Sequence, residues 1–111
     1  MHKEKRGLRF EFRADAEVCP EGSSKSASGR VKELSLRGCF VEAPGTFAEH
    51  QRVRVQMHHE GESLECWAEV IYVLRTGVGL LFTDMTPDVR EVLQKWVLTA
   101  LSRQTEEVPA R

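Results

Sequence analysis

Cysteine, net charge and long apolar runs are all scarce in this chain, and each shortage removes a class of protein. Its three cysteines, Cys19, Cys39 and Cys66, stand far apart among 111 residues, so they build neither a paired disulfide framework nor a close-spaced zinc motif. Sixteen basic and 17 acidic side chains leave a formal net charge of -1, which gives the whole molecule no long-range pull toward nucleic acid or anionic membrane. No stretch approaches the roughly 20 apolar residues that a membrane-spanning helix needs, and no leading apolar run follows the basic start. The expectation is a cytoplasmic protein, neither exported nor inserted in a membrane, with no nucleic-acid partner. No Gly-x-Ser-x-Gly elbow surrounds Ser35, and no pattern sets a histidine and an acid beside it, so no catalysis is expected.

What is present suits one domain. Hydrophobic residues make up 41% of the chain and charged residues 30%, enough for one modest core and too little for two. Phe10, Phe12, Ala14, Ala16 and Val18 alternate with Glu11, Arg13, Asp15 and Glu17, the period of a half-buried strand. Residues 20–29 gather proline, glycine and serine and read as a flexible connection. A second strand is expected from about Arg30 toward Ser35, broken at Arg37-Gly38 and resumed through Cys39, Phe40 and Val41 as far as Pro44-Gly45.

Alternation returns at Val53, Val55 and Met57, and after a turn at 58–62 it resumes with Leu64, Cys66, Ala68 and Val70. Trp67 has the opposite parity and is expected outside, stacking a base, meeting a partner or covering the rim beneath a helix. Tyr72 keeps the parity of the inner face. Arg75-Thr76-Gly77 reads as a hairpin tip, and Gly79 inside the returning strand at 78–82 marks a bulge or a close backbone approach. Then the period changes. Thr86 as cap, Pro87 in the first turn and Asp88 at the positive dipole end open a helix, whose stripe is Val89, Val92, Leu93, Trp96, Val97, Ala100 and Leu101. Residues 104–111 read as a disordered tail. About six short strands and one last helix give a mainly β fold, an antiparallel barrel or a sandwich.

The functional reading centres on Glu33-Leu34-Ser35-Leu36-Arg37-Gly38. An acid and a hydroxyl two apart, closed by a glycine expected in a backbone conformation that other residues resist, present two hydrogen-bonding groups from one turn. Positive charge collects in the opening, where Lys5, Arg6 and Arg9 can hold anionic oxygens, arginine by its planar fork and lysine as a point charge. Together they suggest a receptor for a phosphate-bearing ligand. His58-His59 with His50 and Cys66 form a much weaker metal pattern, better read as a solvated turn.

An arginine-rich opening, an acid-x-Ser-x-x-Gly turn and a Gly-x-Gly-x-x-Phe strand at 77–82 ahead of a final helix resemble the PilZ domain, over about residues 5–101. The resemblance implies a six-stranded antiparallel barrel at 10–103 with one C-terminal α-helix, preceded by a flexible basic segment at 1–9. It also implies binding of the bacterial second messenger cyclic di-GMP, with no other cofactor and no metal. Arg9 matches the second arginine of the family's Arg-x-x-x-Arg, Lys5 stands in place of the first, and Arg6 lies close by. Ser35 and Gly38 match the turn, and Glu33 replaces its aspartate or asparagine. On this pattern the ligand residues are Lys5, Arg6, Arg9, Glu33, Ser35 and Gly38, with the leader folding over the barrel on binding and an unidentified protein effector reading the change. The two replacements motivate an alternative: a degenerate PilZ-like adaptor that works through protein contacts without the nucleotide.

Overall fold

The computed structural model describes residues 10–107, so the basic opening with Lys5, Arg6 and Arg9, and positions 108–111, lie outside the described residues. Six antiparallel strands and one helix follow in chain order: β1 (Phe10–Pro20), β2 (Ala27–Leu34), β3 (Gly38–Glu42), β4 (Arg52–His59), β5 (Glu62–Leu74), β6 (Gly77–Asp84) and α1 (Pro87–Glu107). The strands close into a barrel in the order β1-β2-β3-β6-β5-β4. Closure gives every strand two hydrogen-bonded neighbours, and the barrel rather than the sandwich is the architecture.

Alternation in the sequence becomes inside and outside. In β1 the side chains of Phe12, Ala14, Ala16 and Val18 are buried while Arg13, Asp15 and Glu17 face solvent. Val53, Val55 and Met57 of β4 and Leu64, Cys66, Ala68 and Val70 of β5 join them in one core. Such small barrels are filled by their own side chains. Register shifts between Glu11 and Ala14, between Val31 and Glu33, and twice between β5 and β6 mark bulges, which supply the bends that a six-stranded closure needs.

Two connections are tighter than composition suggests. The serine-rich stretch at 20–29 is shortened to a connection over 21–26, since β1 runs to Pro20 and β2 starts at Ala27. Gly29 pairs with Ala16 in the ladder, and only glycine fits there because a Cβ would lie 2.0 Å from the Glu42 carbonyl oxygen. The turn expected over 58–62 is reduced to Glu60 and Gly61, with φ of 51° and 84°, the left-handed pair that matches a two-residue hairpin to the strand twist.

The helix begins as its signals dictate: the Val89 amide donates to Thr86 Oγ1 at 3.3 Å. It runs past Arg103 to Glu107, four residues beyond the end expected from hydropathy. Leu93, Trp96, Val97 and Ala100 are buried against the barrel, whereas Leu101 is 40% exposed. Trp96 stacks on Phe12 with centroids 5.5 Å apart and donates its indole N–H to Glu62 Oε1 at 3.1 Å. Replacing so buried an indole with alanine costs about 3 to 5 kcal/mol. No helix among the described residues is long and apolar enough to cross a membrane.

Candidate functional site

The turn between β2 and β3 is built around one hydroxyl. Ser35 Oγ accepts hydrogen bonds from the amides of Arg37 and Gly38, both at 3.2 Å, and donates to the Gly38 carbonyl at 3.3 Å. The Ser35 amide also donates to the Gly38 carbonyl at 2.9 Å. A hydroxyl has one proton and two lone pairs, so Ser35 is fully committed within its own turn. Its first role is to hold the shape of the loop.

Gly38 is required for a different reason from the one expected. Its φ is not in the left-handed region, which holds Gly22, Gly45 and Gly61 among the described glycines. A Cβ on Gly38 would instead stand 2.0 Å from the Leu80 carbonyl oxygen. The glycine lets β3 start flush against β6, its register partner being Leu81.

A groove of about 300 Å³ opens on the outer wall beside this turn, lined by Glu33, Ser35, Arg37, Gly38, Phe40, Ile71, Tyr72 and Gly79 among others. Its floor follows the ladder register. Glu33 of β2 pairs with Phe40 of β3, Phe40 with Gly79 of β6, and Gly79 with Tyr72 of β5. One row across four strands thus carries an acid, an aromatic ring, a gap and a second aromatic ring. The Phe40 and Tyr72 rings are 6.2 Å apart between centroids and inclined by only 17°.

Tyr72 and Phe40 are the functional candidates that the sequence pattern missed. Tyr72 has inner-face parity, but a bulge between Val70 and Tyr72 reverses it and lays the ring over the outer side of Gly79. The Gly79 signal for a bulge or a close approach was the available clue, and both are present. Phe40 alternates with buried Cys39 and Val41 and is therefore outward. Below the groove, burial raises the Cys39 thiol far above its ordinary range, with Cys66 as a second cause, and burial pushes Cys66 up to about 12.

The other candidates sort by their contacts. The structure brings together Glu33, Ser35 and Gly38, while Lys5, Arg6 and Arg9 fall outside the described residues. The backbone of Phe10 pairs with Leu34. Trp67 is outward, and Arg52 lies over its ring at 4.1 Å while bonding Glu21 and Asp84, each at 3.0 Å. That face is occupied by arginine rather than open to a base. His50 bonds Glu69 at 3.0 Å and His59 bonds the Arg13 carbonyl at 2.8 Å; no group of three potential metal ligands exists among the described residues.

Comparison with known proteins agrees with this architecture. A family model described as PilZ domain matches residues 2–99. Among solved structures, the PilZ domain of YcgR from Escherichia coli, determined with c-di-GMP, superposes with a TM-score of 0.76 at 14% identity, covering 95% of this chain and 97% of that one. The PilZ domain of CeSA from a cellulose-synthesizing bacterium gives 0.67 at 17% identity, covering 88% and 99%. The motility inhibitor MotI/DgrA of Bacillus subtilis gives 0.76 at 13% identity, with 97% of this chain matching 55% of that protein. No curated protein sequence matches the chain. With most of its length matched by the family model and its barrel and helix in the same arrangement, this chain belongs to the PilZ domain family.

Proposed function

We propose that this PilZ domain is a receptor for cyclic di-GMP, a binding module without catalysis, and that the nucleotide occupies the outer groove. The observation that carries this reading is the register row of Glu33, Phe40, Gly79 and Tyr72. A guanine presents a flat π face and a donor edge. The row offers aromatic surface for the face and a carboxylate for the edge, with the bare Gly79 backbone between. Arg37, beside the same groove, supplies a guanidinium for phosphate or base.

The leader completes the site in this reading. The pairing of Phe10 with Leu34, next to the Ser35 turn, supports assigning the cations that precede Phe10 in sequence to this site. Arg9, Arg6 and Lys5 then hold phosphates and guanine acceptors, Glu33 reads a base edge, and Ser35 and Gly38 fix the turn. The solved YcgR domain with c-di-GMP supports the choice of ligand. A protein effector in the bacterial cytoplasm would read the occupied surface.

Calorimetric titration with cyclic di-GMP tests the proposal. Saturable heat that Tyr72→Ala and Arg9→Ala each reduce is expected; absence of heat at high micromolar nucleotide overturns it. One observation favours the alternative of a nucleotide-free adaptor, namely that the Ser35 hydroxyl is consumed by its own turn. That reading requires an effector complex unchanged by Arg9→Ala and by added nucleotide.

A further inference from the structure

A second groove of about 300 Å³ lies on the other side of the Ser35 turn, walled by Leu36, Arg37, Leu81, Phe82, Met85 and Arg90. Its two sides are fixed by backbone. Gly38 pairs with Leu81, and the Phe82 amide donates to the Arg37 carbonyl at 2.8 Å, which clamps the turn to the end of β6. Arg90, in the first turns of α1, comes from the helix side.

Arg52, Arg54 and Arg103 each have a carboxylate, at 3.0, 3.0 and 3.7 Å. Arg37 and Arg90 have none among the described residues, although both border this groove. Between them lies apolar surface, with Leu36 51% and Leu81 37% exposed. A single exposed leucine is ordinary. Here two of the seven large exposed hydrophobics among the described residues, Leu36 and Leu81, face the same groove, and apolar surface gathered in one place marks contact surfaces.

We propose that this groove docks a segment of a protein partner that presents carboxylates flanking leucine-like side chains. The guanidinium forks of Arg37 and Arg90 take the carboxylates, and Leu36, Leu81 and Met85 receive the apolar side chain. Phosphate alone would leave Leu36, Leu81 and Met85 uncovered, so the occupant is a peptide rather than a free anion. Exposed ion pairs are individually weak and screened by salt, so the complex is modest in affinity and depends on the apolar contact. The site borders the nucleotide groove and shares Arg37 and Leu81 with it, whereas Leu36, Met85 and Arg90 belong to this site.

The test uses the full chain, isotope-labelled, titrated with a synthetic peptide alternating glutamate and leucine. Saturable amide shifts at residues 36–38 and 81–90, weakening as salt rises, are expected. Arg90→Glu is expected to weaken binding about fivefold, the size of one exposed charge pair made repulsive, while Arg75→Glu at the distant hairpin tip leaves it unchanged. A lysine-leucine peptide should prefer the Arg37→Glu/Arg90→Glu double variant over the native chain. Equal loss in Arg75→Glu, shifts centred elsewhere, the same shifts from inorganic phosphate at equal affinity, or self-association through these residues would each overturn the assignment. Arg90 does not border the nucleotide groove, so cyclic di-GMP titration of Arg90→Glu separates failure of this proposal from failure of the receptor reading.

Discussion

The ring of Tyr72 rests on the backbone of Gly79, so close that a β-carbon on Gly79 would lie 2.3 Å from Tyr72 Cε2 and 2.4 Å from Cζ. The pair makes the groove floor: glycine is the space and tyrosine the surface that fills it. Gly79→Ala therefore forces the ring off its seat. The obstacle is a side chain rather than backbone, so the barrel survives at a cost of about 1 to 3 kcal/mol. Cyclic di-GMP affinity is expected to fall tenfold or more, about 1.4 kcal/mol. Thermal melting and calorimetry on the same variant measure the two effects separately.

Much of the barrel was legible because its signal is local. The alternation of β1 and β4 and the stripe of α1 depend on neighbours within a few residues, and both the inside faces and the Thr86 cap follow from them. What escaped depends on other strands. Tyr72 turns outward only because of a bulge opposite Gly79, and Gly29 is a strand residue because it pairs with Ala16 of β1. At the site, residue types identified the turn but not its mechanics: Ser35 bonds its own loop, and Gly38 makes room for Leu80.

Gly38→Ala is expected to be the most damaging alanine substitution at the turn, because the atom it meets is the Leu80 carbonyl oxygen at 2.0 Å. Backbone cannot rotate aside as a side chain can. The destabilisation should exceed about 2 kcal/mol. Gly22→Ala is the contrast: nothing lies within 4 Å of its Cβ, yet φ is 84°, so only the left-handed backbone cost of about 1 to 2 kcal/mol applies. Urea melts of the two variants in parallel give the ordering.

Ser35→Ala removes both amide acceptor contacts of the turn. The loop is partly exposed, so water replaces part of what is lost and stability falls by about 1 kcal/mol. Nucleotide affinity should fall further than stability, since the turn orients Glu33 and Arg37. Ser35→Thr keeps the hydroxyl and should retain most of the affinity; if both variants bind normally, the shape of the turn is irrelevant to the ligand.

Thiol chemistry separates the three cysteines. Burial raises Cys39 and Cys66, the latter to about 12, so neither is a thiolate at neutral pH and neither is accessible. Cys19 is only partly buried. A native sample treated with a thiol reagent at pH 8 should label Cys19 quickly and the other two only on unfolding, as mass spectrometry of the peptides would show. Fast labelling of Cys66 would mean that the barrel opens far more readily than its packing implies.

Acid should weaken the anchoring of α1 through Glu62. Its carboxylate is held below the ordinary value of 4.5, first by the hydrogen bond from Lys95 and then by that from Trp96. A depressed carboxylate pKa contributes stability that is fully present above the unfolded value and disappears as pH falls through the folded one. The Glu62 contribution is therefore complete above about pH 5.5 and declines through the region below 4.5. Glu62→Gln retains an acceptor for the Trp96 indole but loses the charge facing Lys95, so the variant should be less stable at pH 7 and show a shallower loss of stability between neutral and acid pH. Denaturant midpoints at pH 7, 5 and 3.5 measure this directly, and parallel curves for the two proteins would show that Glu62 titrates alike whether the chain is folded or unfolded.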